Sequence, residues 1–153
     1  MPDGKGHWRS TNPPAHQTLI DNADVAQAGK LKPLVKLCKA WNIANGEHLS
    51  SLHVEMLVER MWRGHSIGAY SHAVKETIRV LPLWLATSLD DPWEGGTRID
   101  TYLTTQTREQ IVRMLNEDAK SSAEAEQFRQ DGEMAKAFER WGSVYRQHFP
   151  AYG

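Results

Sequence analysis

Leu31-Lys32-Pro33-Leu34-Val35-Lys36-Leu37-Cys38-Lys39-Ala40-Trp41-Asn42, followed closely by Leu49-Ser50-Ser51-Leu52-His53-Val54-Glu55, decides the fold. Apolar residues at 31, 34, 35, 37, 38 and 41 recur at the 3.6-residue period of a helix, one face of which must be buried. Lys32, Lys36 and Lys39 fall on or beside the other face, a pattern that on its own is a solvated basic stripe. A second amphipathic helix follows at once. The two would bring a lysine and a serine together at facing ends, where an ammonium and a hydroxyl can grip a polyphosphate without a glycine loop.

Outward from this pair, helical periodicity continues. Residues 1–13 are irregular, with Pro2, Gly4, Gly6 and Pro13. Pro13-Pro14 marks a helix start with Asn12 as its cap, and a short helix is expected from about 14 to 22. Gly29 precedes the lysine helix (about 30–45), which Asn45-Gly46 ends. Ser50 or Ser51 caps the next helix, with Val54, Leu57, Val58, Met61 and Trp62 inward and Gly64 at its end. A helix over about 66–89 carries Ile67, Tyr70, Val74, Ile78 and Leu81, with a kink expected at Pro82. Asp90-Asp91-Pro92-Trp93-Glu94-Gly95-Gly96 is a loop. A long charged helix from about 104 to 129 bears Ile111, Val112, Met114 and Leu115; beyond Gly132 a last helix bears Met134, Phe138, Trp141 and Tyr145. No alternating run, repeat or sustained heptad interrupts the pattern. The expectation is an all-α chain, an orthogonal array of about five to six helices forming one domain over 1–153.

Composition narrows the function. At 153 residues the chain is one domain by size, and a formal net charge of −1 creates no global field for long nucleic acid or an anionic membrane. Any phosphate contact must come from a local cluster. Cys38 is the single cysteine, set in an apolar row, so it is a buried core residue and no disulfide framework exists. No secretory leader and no membrane-length apolar run is seen, so a cytoplasmic protein is expected.

Trp8-Arg9-Ser10-Thr11-Asn12-Pro13, the Leu31–Asn42 helix, Ser50–Glu55, the Asp91-Pro92 loop and the closing Ala135…Trp141-Gly142…Phe149-Pro150 occur in one order. Together they resemble the C-terminal helical half of cGAS/DncV-like nucleotidyltransferases, the CD-NTases of bacterial antiphage signalling, which are related to oligoadenylate synthetase. The resemblance implies an all-helical fold that grips nucleoside triphosphates of the ATP or GTP type. In that family the chemistry belongs to a preceding α/β half, where a Gly-Ser motif and three acidic residues hold two magnesium ions (Mg2+). No such motif lies in this sequence, which begins after the point where the third acidic residue would stand. The resemblance thus implies an excised fragment or one piece of a split enzyme, inactive alone, whose partner is the missing half or a second copy of itself.

Residue by residue, the resemblance assigns Lys39 and Ser51 to the triphosphate. Lysine is a compact charge on a flexible stem, and a serine at a helix start adds a hydroxyl to N–H donors. Taken without the family, Lys39 is a surface lysine and Ser51 a plain cap. Lys36 could reinforce the same field but is expected to face solvent. Trp8 and Asn12 are candidate base contacts, an indole to stack and an amide to read an edge, and His16 lies in the same stretch; Trp8 is as readily a lid over the first helix. His53 and Glu55 face apart on a helix and make no metal pair. His65 and His72 are core or surface histidines, and Asp90, Asp91 and Glu94 are turn chemistry rather than a metal cluster. Two functions of different class follow: the nucleotide-gripping half of a synthase of cyclic oligonucleotides, or a helical interaction and oligomerisation module.

Overall fold

The computed structural model describes residues 13–85 and 102–146, apart from the side chains of Pro13 and Pro14. Six helices follow one another: α1 (Pro13–Ala26), α2 (Leu31–Ala44), α3 (Ser51–Trp62), α4 (Tyr70–Leu85), α5 (Thr105–Gln130) and α6 (Met134–Tyr145). No strand occurs among the described residues, so the all-α class is as expected.

The lysine helix is the hub. Leu31, Leu34, Val35, Cys38 and Trp41 of α2 are buried, and α2 packs on α1, α3, α4 and α6. Its start is capped from outside: Lys30 offers no side-chain cap, and Asp24 at the end of α1 accepts the Lys32 N–H at 2.9 Å. A carboxylate there also complements the positive end of the helix. α1 runs to Ala26, four residues beyond the expected end, and closes when the Gly29 N–H returns to the Asp24 carbonyl at 2.8 Å with Gly29 at φ 78°.

α4 starts at Tyr70, not near Ser66. Ile67 is buried all the same, from an extended segment ahead of the helix, and Tyr70 is more than a third exposed. Pro82 lies inside α4, and Arg108 of α5 donates to the Leu85 carbonyl at the last described residue of that helix.

α5, 26 residues and about 39 Å long, packs on α4 and α6. Ile111 and Leu115 are buried as expected, but the same stripe continues through Asp118, Ser122, Ala125 and Glu126. In α6 the buried residues are Ala137, Trp141, Val144 and Tyr145, while Met134 and Phe138 are exposed.

A polar junction joins α2, α5 and α6. The buried Trp41 indole N–H donates to Asp118 Oδ2 at 2.7 Å. Asn45 Nδ2 donates to the Trp41 carbonyl (2.9 Å) and the Val144 carbonyl (3.3 Å), and Arg146 Nε donates to Asn45 Oδ1 at 3.1 Å. The Tyr145 hydroxyl reaches the Leu37 carbonyl at 3.0 Å. Beneath it, Cys38 helps to line an enclosed cavity of about 20 Å³ with Val58, Thr77 and Leu115. Burial pushes its thiol up to about 12.

Burial also pushes the Asp118 carboxyl up to about 6, against the pull of the Trp41 indole and the Arg146 guanidinium. The ionised form is therefore the costly one in the folded chain. With a usual value of 3.8 when unfolded, the contribution of Asp118 is intact below about pH 4 and is lost as pH rises through 6. The loss is on the order of 3 kcal/mol. Asp118→Asn keeps an acceptor for the indole and cannot ionise. Urea midpoints between pH 4 and 7.5 are expected to show the wild type losing ground to the variant as pH rises; a constant difference would refute this.

Candidate functional site

The start of α3 is built by residues on three elements. Asn42, buried near the end of α2, donates from Nδ2 to the Leu49 carbonyl (2.7 Å) and accepts the Leu49 N–H on Oδ1 (3.1 Å). This two-bond clasp closes the α2–α3 turn, helped by Gly46 at φ 96°, where an added Cβ would come within 2.8 Å of the His48 ring. Chain direction into α3 is thereby fixed.

Ser50, not Ser51, is the cap: its hydroxyl accepts the His53 N–H at 3.2 Å. The Ser50 N–H donates to the Tyr102 hydroxyl at 2.9 Å, and that hydroxyl also hydrogen-bonds His53 Nδ1 at 2.7 Å. The rings of His53 and Tyr102 meet edge to face, 5.7 Å apart. His53 is 1% exposed, so it is a structural post for the helix start.

Ser51 is the first residue of α3 and is exposed. With Ser50 committed to the cap, its hydroxyl is not needed there. Lys39 lies on α2 and crosses to α3, where its Nζ meets Glu55 Oε1 at 2.5 Å. Glu55 is four residues after Ser51 and so shares its helix face. The contact that the structure shows for the Lys39 ammonium is thus Glu55, on the helix that Ser51 opens. It is a residue that sequence reasoning passed over, since Glu55 was weighed only as a metal partner for His53. A spacing of 16 residues between different helices gives no local signal.

The remaining expectations divide. Lys36 is exposed, as anticipated. His16 is buried within α1, 4% exposed. His65 and His72 are exposed. Trp8, Asn12, Asp90, Asp91 and Glu94 lie outside the described residues. Among the described residues no three His, Cys, Asp or Glu side chains gather as a metal would require. No described helix is long and apolar enough to cross a membrane.

No protein-family profile matches the chain. It is similar to a probable cyclic nucleotide synthase of Bacillus cereus (strain VD146), 23% identical over 155 residues, which cover 99% of this chain and 46% of that protein. The chain thus spans less than half the length of that relative.

The division of labour between the two serines can be measured. Ser50→Ala should cost about 1 kcal/mol by loss of the cap, whereas Ser51→Ala should change stability by less than about 0.5 kcal/mol. Urea denaturation of both variants checks this; equal effects would show that the cap is misassigned.

Proposed function

We propose that the chain is the nucleotide-gripping half of a CD-NTase-like nucleotidyltransferase that makes a cyclic oligonucleotide messenger in antiphage defence. The observation that carries this is the likeness to a probable cyclic nucleotide synthase along 99% of the chain. The geometry at α3 supports it, since Lys39 reaches the helix that Ser51 opens.

In this reading Lys39 and Ser51 contact the triphosphate of an ATP- or GTP-type substrate, and Trp8 and Asn12 belong to the base. Magnesium would neutralise charge at the transferring phosphate, held by acidic residues of a separate α/β half in the cytoplasm. This chain's own part is binding and orientation. Positioning without those carboxylates leaves the developing charge unstabilised, so the chain alone catalyses nothing.

The alternative, an interaction or oligomerisation module, requires a contiguous apolar face. Among the described residues the large exposed aliphatic side chains Val25, Ile43 and Leu83 lie on three different helices, and only Met134 and Phe138, four residues apart on α6, share a face. A pair of this size is smaller than the contiguous apolar patch that marks a docking surface.

Photocrosslinking with azido-ATP tests the reading. Lys39→Ala should lower labelling about tenfold and Ser51→Ala about threefold, with unfolding midpoints near wild type. Labelling unaffected by both would dismiss the site, and steady product from the isolated chain with magnesium and triphosphates would dismiss its assignment as a non-catalytic half.

A further inference from the structure

The Lys39–Glu55 pair poses a chemical problem for a phosphate site. Lys39 and Glu55 keep 31% and 27% of their side chains exposed, so the pair sits at the surface of the α2–α3 seam and not in the core. Its ammonium already meets a full carboxylate, which leaves the local charge near zero. A phosphate in contact with both Lys39 and Ser51 would lie beside Glu55, because Ser51 and Glu55 share one face of α3. Two anions then contend for one cation. A pair that keeps about a third of each side chain in water is still open to exchange with a solvent anion, whereas like charges held close are unfavourable.

We propose that Glu55 is a built-in competitor for the anion: its carboxylate holds Lys39 in the free protein, and a phosphate group must displace it. This rests on Lys39 and Ser51 being phosphate contacts. Glu55 thereby acts as a specificity residue. A singly or doubly charged phosphate gains too little from the ammonium to exchange with the carboxylate, while a polyphosphate gains enough. The Lys39 stem, with its four rotatable carbons, supplies the swing needed to leave one partner for the other.

Glu55→Gln keeps the size and hydrogen-bonding capacity of the side chain and removes its charge. The probe is inorganic tripolyphosphate, titrated calorimetrically at low ionic strength without divalent cation into the full chain. Variants are wild type, Glu55→Gln, Lys39→Ala and the double variant, each confirmed as folded by its urea midpoint. Glu55→Gln should bind about three- to tenfold tighter than wild type. With Lys39→Ala present, the same change should gain less than about twofold, because no ammonium is left to release.

Equal or weaker binding by Glu55→Gln, including no detectable binding by either protein, overturns the proposal. An equal gain with and without Lys39 also overturns it, since that would be charge removal at a distance. Failure of the phosphate site itself looks different: Lys39→Ala would then bind as wild type does. Acylation of Lys39, counted by mass spectrometry, gives a readout without any anion. Its rate should rise at least about threefold in Glu55→Gln, and an unchanged rate would show that the carboxylate does not hold the ammonium.

Discussion

A single buried hydrogen bond, from the Trp41 indole to the Asp118 carboxylate, sets how α2 and α5 meet. Neither group is tolerable in the core without the other: an unpaired indole N–H and an unpaired carboxylate both carry desolvation costs of several kcal/mol. The bond therefore ties together side chains 77 residues apart in sequence, on helices that otherwise pack on α4 and α6. Asn45 and Arg146 extend it to α6, so the closing helix is located by polar contacts as much as by apolar area. Because α2 is thus held from behind, Lys39, two residues before Trp41, meets Glu55 of α3 in a defined place.

Much of this architecture could be read before any coordinates. The period of Leu31, Leu34, Val35, Cys38 and Trp41 and the glycines at 29, 46, 64 and 132 announce where helices run and stop, and all four glycines adopt positive φ. α5 was the hard case. Its inward stripe includes Asp118, Ser122 and Glu126, so apolar periodicity fades while burial continues. Polar residues at core positions can have partners that only the fold supplies, such as Trp41 for Asp118. In α6 residue size does not mark the inward face: Ala137 is buried, whereas Phe138 remains 39% exposed.

At the candidate site, chemistry was more legible than geometry. Lys39 and Ser51 were singled out by the resemblance, since by residue type alone they are a surface lysine and a plain cap. Their setting was not legible, because Asn42 clasping Leu49, Tyr102 pinning Ser50 and His53, and Glu55 meeting Lys39 join separate elements. The first of these had a faint signal, an asparagine closing an otherwise apolar row. Tyr102 had none, since 52 residues separate it from Ser50.

The lone thiol has a practical corollary. Cys38 is walled in beside a small apolar void, and its ionisation is suppressed far above neutral pH. Thiolate, not thiol, is what alkylators and oxidants attack. While the helices stay together, the sulfur is chemically silent; once α2 lifts from α4, it becomes an ordinary cysteine. The protein thus carries its own clock for core opening, wound by a residue that takes no part in gripping a ligand.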